Sequence, residues 1–393
     1  MPLRHDPILM DLPASDWDKV YADFPINRHL VWLNNAGTSS LATPVRNALE
    51  GFLDGYAREG IITGGKDYRE VKSSIYSHLA ALFHADPGEF ALIHNTAEGM
   101  SMLSHGFDLS PGDEILILEN EYPSNVYPWE HWREKGVLLR TIPCSGGPEA
   151  FLEDFREALG PRTRVAALSA VHWCTGMTLP LSEVGKLCAG QDIEFVVDGS
   201  QGVGRLDLDL SALGIGYMAF STWKWLLGPL GLGVLFVSKD RLERLRPVFK
   251  GTGSVVEDLR YLPYQTSLKP TADRFAYSTG SLIDWVYLEA SFAYLAGLGF
   301  PRVRERIRDL DLHLTQGLRG LGFTVLADGF GGQASGMVLA FRPDPGWDAG
   351  RAVQSLKKKG IIAAERLGRL RLSPHVYNSH AQLDRALAEL AGL

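Results

Sequence analysis

Cysteine is scarce: Cys144, Cys174 and Cys188 are the only three in 393 residues. That number, odd and without ligand spacing, excludes a disulfide framework and a cysteine zinc site, and the three read as reduced packing residues. Eleven histidines form no metal-binding pattern either, so no metal is expected. No apolar run approaches the roughly 18 residues of a spanning helix, so no membrane contact is expected. Positive charge is also short, with 39 Lys and Arg against 46 Asp and Glu. A net charge of −7 leaves no basic footprint and argues against a nucleic-acid partner. The stretch Met1-Pro2-Leu3-Arg4-His5-Asp6 has no signal-peptide core, and a cytoplasmic location is expected. Repeats and low-complexity tracts are missing. So is a phosphate loop of the G-x-x-x-x-G-K-S/T kind. The glycines from Gly228 to Gly233 do not follow G-x-G-x-x-G, and they run into the apolar stretch Val234–Val237 rather than a helix, which disfavours nucleotide binding.

What is present is an ordinary globular composition, 45% hydrophobic and 22% charged, in a chain long enough for two or three domains. Short apolar runs at Phe90–His94, Glu114–Leu118, Val137–Ile142, Val165–Val171, Ile193–Val197 and Tyr217–Phe220 read as strands. Most lack alternation, as strands buried on both faces do. Helical periodicity at Pro148–Leu159 and Leu181–Ala189 separates several of them, which predicts an α/β fold with a mostly parallel sheet flanked by helices. Later in the chain, Val286–Ala296, Arg302–Leu321, Trp347–Lys359 and Ala381–Ala391 read as helices, and Phe323–Ala327, Gly336–Phe341 and Leu370–Leu372 as strands. The expected division is an N-terminal segment 1–30, a large domain 31–297 and a smaller C-terminal α/β domain 298–393.

Two residues carry the chemistry. Asp198 ends the apolar run Ile193–Val197, and Lys224 sits in Ser221-Thr222-Trp223-Lys224-Trp225-Leu226-Leu227-Gly228, a turn rich in aromatics and closed by glycines. A lysine amine that holds an aldehyde, with a carboxylate that keeps a pyridine nitrogen protonated, is the equipment of pyridoxal phosphate chemistry. Asn95-Thr96-Ala97-Glu98-Gly99 follows a strand and opens a helix, so Thr96 is placed to cap that helix and to offer a hydroxyl to a phosphate. Ser221 and Thr222 could add further hydroxyls.

In order and spacing these motifs resemble fold-type I pyridoxal phosphate enzymes of the class V aminotransferase group, which includes cysteine desulfurases, kynureninases and isopenicillin N epimerase-like proteins. The resemblance runs from Leu33-Asn34-Asn35-Ala36-Gly37 through Glu121-Tyr122-Pro123, Thr175-Gly176, Asp198-Gly199-Ser200-Gln201 and Arg274 to Ser281, and ends at Arg371-Leu372-Ser373-Pro374-His375. It implies that Lys224 bonds the cofactor and moves protons at the substrate Cα. Asp198 would pair with the pyridinium and Gln201 with the phenolic oxygen. Tyr122 would stack on the ring. Thr96, Ala97 and Ser221 would cradle the phosphate, and Trp223 stands where the family most often has histidine. Thr279 would serve the phosphate of a neighbouring subunit, which implies a homodimer with shared active sites. Arg371 would grip the substrate carboxylate, with Arg366 as a further candidate and Asn34 and Asn35 in the segment over the substrate.

The implied activity is turnover of an α-amino acid or close derivative, by transamination or β-elimination. Epimerisation is the alternative, and a non-catalytic binding protein of the same fold is a third reading. The stretch Gly360 to Arg369 contains no cysteine, so cysteine desulfurase activity is not expected.

Overall fold

The computed structural model describes residues 16–61 and 67–393, so residues 1–15 of the expected N-terminal segment lie outside the described residues. Its centre is a seven-stranded sheet made of β1 (Phe90–Ile93), β2 (Glu114–Leu118), β3 (Leu138–Ile142), β4 (Thr163–Ser169), β5 (Glu194–Asp198), β6 (Tyr217–Ser221) and β7 (Gly233–Val237). The order across the sheet is β1-β7-β6-β5-β4-β2-β3. Strands β6, β5, β4, β2 and β3 are mutually parallel, and β7 alone runs against its neighbours.

Both faces of the sheet are covered, which explains why the strands read as unbroken apolar runs. In β2, Leu116 and Leu118 enter one core with Leu168, Val197 and Phe220, while Ile115 and Ile117 enter another with Ala167, Val196 and Ala219. Truncating a side chain as buried as Phe220 to alanine would cost about 3–5 kcal/mol. Helices Thr43–Glu59, Tyr68–Phe83 and Leu282–Leu298 pack together beside the first core.

A second sheet is antiparallel, in the order β10-β11-β9-β8, from β8 (Thr324–Val325), β9 (Val338–Phe341), β10 (Ala364–Arg366) and β11 (Arg369–Leu372). The expected strand Phe323–Ala327 is shortened to β8 because the chain coils into a 3-10 turn at Leu326–Phe330. Strand β10 lies in a stretch with no strand signal, and its hairpin turns through Leu367 and Gly368, both left-handed at φ +50° and +76°. Helix Phe300–Gly320 belongs to both halves: Val303 and Ile307 pack in the first core, Leu310, Leu314 and Leu318 in the C-terminal one.

Residues near the start of the described chain return to this second half. Val31 and Trp32 pair in parallel with Ile361 and Ile362, and Val31 and Leu33 pack in the C-terminal core. Among the described residues no helix is long and apolar enough to cross a membrane.

Candidate active site

The carboxyl ends of the parallel strands meet at one place. Asp198 closes β5, Ser221 closes β6, Ser169 closes β4, and Glu121 lies three residues beyond β2. Open α/β sheets bind ligands there, and a cavity of about 360 Å³ is found at this edge. Its lining includes Ala36, Thr96, Ala97, Tyr122, Ser200, Gln201, Ser221, Trp223, Lys224, Arg366 and Arg371.

Lys224 stands on a turn that the local sequence closes tightly. Buried Thr222 takes part three times: its N–H donates to Leu232 O (3.1 Å), its hydroxyl to Leu232 O (2.9 Å), and its carbonyl accepts from Gly228 N (3.0 Å). A Cβ on Gly228 would fall 2.7 Å from Thr222 Cβ, so glycine is required for that closure. Leu227 is left-handed at φ +55°, a strained state for a branched residue. Thr222 therefore holds the turn and is not available to a phosphate; Ser221 is, because its buried hydroxyl has no partner.

Burial pushes the Lys224 ammonium down to about 8; Arg371 and Arg366 add to the fall and Asp198 opposes it. Its Nζ lies 5.7 Å from the centre of the Tyr122 ring.

The other end of the cavity is formed by a helix N-terminus and hydroxyl side chains. Asn95, rather than Thr96, caps the helix Thr96–Gly106, accepting from Glu98 N at 2.9 Å. Asn95 is still extended while Thr96 already has helical backbone, and the cap belongs to the last extended residue. Thr96 is thereby free to bond Ser200 Oγ at 2.8 Å, and the start of the helix, Thr96 and Ala97, lines the cavity. Small residues let this helix sit so close: a Cβ on Gly99 would lie 2.6 Å from Ala219 Cβ.

Asp198 is buried, and burial raises its carboxyl above the usual range while the Ser200 amide (2.8 Å) and Lys224 oppose the rise. A second buried carboxylate, Glu121, escaped the residue-level reading. Burial pushes it up to about 7, against hydrogen bonds from Tyr122 N and Ser169 Oγ (both 2.7 Å) and Ser169 N (3.0 Å). The only signal for it was its place next to Tyr122. Among the aromatic residues, Trp173 lines the cavity, edge-on to Tyr122 at 5.5 Å, with its indole N–H on Asn120 O (2.7 Å). Trp285 is buried against Tyr68 and Tyr264 is 88% exposed.

Arg371, on β11, is 2% exposed; burial first and Arg366 second lower its guanidinium to about 9. Its Nη2 donates to Asn34 Oδ1 at 3.2 Å while its Nε has no partner. Asn35 is placed differently from the expectation: fully buried, it does not line the cavity, and its amide is committed to Lys224 O (3.3 Å) and the Tyr377 hydroxyl (3.0 Å). Thr279 is not brought to Lys224 either. It is exposed and lines a separate cavity of about 550 Å³ with Tyr68, Lys72, Lys269 and Asp273.

An unpartnered hydroxyl at Ser221, the first turn of the helix that starts at Thr96 and Ala97, a buried carboxylate and a lysine of lowered basicity make a donor set that fits pyridoxal phosphate.

Comparison with known proteins agrees with this architecture. The chain is 32% identical to isopenicillin N epimerase of Amycolatopsis lactamdurans, over 96% of this chain and 99% of that protein. It is 26% identical to a probable cysteine desulfurase of Pyrococcus abyssi, over 77% of this chain and 76% of the relative. Among solved structures, the cystine C–S lyase C-DES in complex with its product cysteine persulfide superposes with a TM-score of 0.85 at 25% identity, covering 94% of this chain and 99% of C-DES. A C-DES mutant with glycine covalently linked to its PLP cofactor gives 0.86 at 24% identity, covering 97% and 99%. The profile of the aminotransferase class-V family matches residues 31–384, and the chain belongs to that family.

Proposed function

We propose that this chain is a pyridoxal phosphate enzyme that holds a free α-amino acid, or a close derivative, by its carboxylate at Arg371 and moves the proton at its Cα with Lys224. The observation that carries the reading is a lysine of lowered basicity sharing one cavity with an almost buried arginine that has an unpartnered Nε. When bound, the cofactor supplies an electron sink that weakens the bonds at Cα.

The phosphate would be held by Thr96, the Ala97 amide and Ser221, with Trp223 able to donate its indole N–H but no charge. Asp198 would keep the pyridine nitrogen protonated, Gln201 would donate to the phenolic oxygen, and Tyr122 would cover the ring. An amine near pH 8 is matched to taking and returning a proton under physiological conditions. The planar fork of Arg371 suits bidentate carboxylate binding, a job lysine does poorly. Arg366, in the same lining, offers a second cation to the substrate.

These groups suffice for transamination or β-elimination, in which one amine manages the proton. Epimerisation is the second reading, favoured by the end-to-end likeness to an epimerase. It needs a second proton donor, for which the Tyr122 hydroxyl in the lining is the candidate. Cysteine-based persulfide chemistry is set aside because all three cysteines are buried and outside the lining, with thiols pushed up to about 12, 11 and 12 by burial. The assigned lobes, 31–297 and 298–393, both contribute to the cavity. Exposed Thr279 supports a homodimer in which each copy completes its neighbour's phosphate site, and a cytoplasmic location accompanies this reading.

The test is an absorbance spectrum of protein purified with pyridoxal phosphate, before and after borohydride. A yellow band that reduction fixes onto Lys224 is the expected result. Screening amino acids for pyruvate, ammonia, sulfide or racemised product then assigns the reaction. A colourless protein that takes up no cofactor would overturn the reading in favour of a binding protein.

A further inference from the structure

Behind Gln201 stands a group of buried residues that the roles above leave unused. The Gln201 Oε1 accepts the indole N–H of Trp225 at 2.9 Å, and its Nε2 donates to Ala36 O at 2.9 Å. An indole N–H only donates and a backbone carbonyl only accepts. The amide therefore has one compatible orientation: turned over, it would set donor against donor at the Trp225 indole N–H, which is buried and outside the cavity lining, and acceptor against acceptor at Ala36 O.

The indole is itself held from several directions. The Arg205 guanidinium lies 5.1 Å from its ring centre, and the same side chain donates from Nε to Gln201 O at 2.8 Å. His375 stacks on it at 5.9 Å and 29°, and His375 Nε2 bonds the Trp225 carbonyl at 3.2 Å. Gly336, left-handed at φ +74°, lets the chain pass so near that a Cβ there would lie 3.0 Å from Trp225 Cη2.

We propose that Trp225 is a positioning residue whose indole N–H locks the Gln201 amide with its NH2 end toward Ala36 and the cavity, leaving one N–H to donate to the phenolic oxygen of pyridoxal phosphate. The proposal rests on the cofactor reading above. One residue beyond Lys224, Trp225 then ties the lysine and the amide that reads the ring oxygen to the same rigid support. A hydrogen bond donated to the anionic form of an oxygen lowers its pKa, so loosening the amide raises it.

The test uses the holoenzyme and Trp225→Phe, which keeps the ring and removes the N–H. Loss of one neutral hydrogen bond predicts that the pH midpoint of the bound chromophore rises by roughly 0.5–1 unit. Pyridoxal phosphate affinity should fall about three- to tenfold, with borohydride still fixing the cofactor on Lys224. A Trp225→Phe protein that loads and titrates like the parent overturns the positioning role alone. A parent protein that takes up no cofactor overturns the cofactor reading and this role with it. Should Trp225→Phe fail to fold, the Trp225 indole proton of the parent protein decides, identified by its contact with the Gln201 amide protons in ¹⁵N-tryptophan-labelled material. Slow solvent exchange, accelerated in Gln201→Met, is expected; exchange as fast as an exposed indole overturns the lock.

Discussion

The turn that carries Lys224 and the stretch that carries Thr279 are finished in opposite ways. In the first, three consecutive carbonyls are each taken by a side chain from elsewhere: Trp223 O by Ser39 (2.9 Å), Lys224 O by Asn35 (3.3 Å) and Trp225 O by His375 (3.2 Å). In the second, Leu259, Tyr261, Leu262 and Tyr264 stand 66–88% exposed, a run of apolar surface that a soluble monomer rarely shows. Where a proton is to be moved, the chain is held from within. Where a partner subunit is proposed, it leaves apolar area uncovered.

Substitutions on each side can break that contrast. The largest effect is expected from Lys224→Ala, a loss of at least about a thousandfold in turnover, with no borohydride-fixed adduct. Substantial residual turnover in steady-state assays would refute the assignment. Next is Arg371→Lys, expected to raise KM about 10- to 100-fold with a smaller change in kcat, since a bidentate clamp becomes a point charge. An unchanged KM would move the carboxylate site elsewhere, with Arg366→Lys the next variant to assay.

The pH dependence comes third. Lys224 must be neutral to attack an aldehyde, and its basicity is lowered from 10.5 to about 8, so the neutral fraction grows with pH and levels about one unit above that value. The rate of cofactor uptake by apoprotein should therefore climb about tenfold between pH 7 and 9 and then level. A climb that continues toward pH 10.5 would show an unshifted lysine. Smallest is Thr279→Ala, expected to weaken cofactor affinity about three- to tenfold, while Leu259→Glu shifts the sedimentation of the protein toward a monomer. If neither variant changes affinity or mass, the exposed stretch has some other use.

Much of this is legible because burial on both faces writes itself into sequence: β2, β4, β5 and β6 each contain an unbroken apolar run, Ile115–Leu118, Val165–Leu168, Phe195–Val197 and Tyr217–Phe220. The cavity residues Lys224, Tyr122, Gln201, Ser221 and Arg371 were named from motif order. Strand β10 was not, because Ala364, Glu365 and Arg366 are half buried at an edge and carry mixed polarity. Helix Thr43–Glu59 is only lightly marked in the sequence, with Val45, Phe52 and Gly55 its buried residues. Nor could pattern reveal that Asn35 braces the lysine turn instead of facing the cavity, since that depends on a tyrosine, Tyr377, some 340 residues away.

That long reach bears on the order of events during synthesis. Leu33 exchanges hydrogen bonds with Ile362 and Ser373, and His375 takes the Trp225 carbonyl. A nascent chain that has already emerged through Val237 holds the whole lysine turn and seven-stranded sheet, yet still lacks the residues that fasten them to the first strand pairing. Competence to bind a ligand should thus switch on only after residue 375 leaves the ribosome, which keeps half-made copies from capturing a reactive aldehyde.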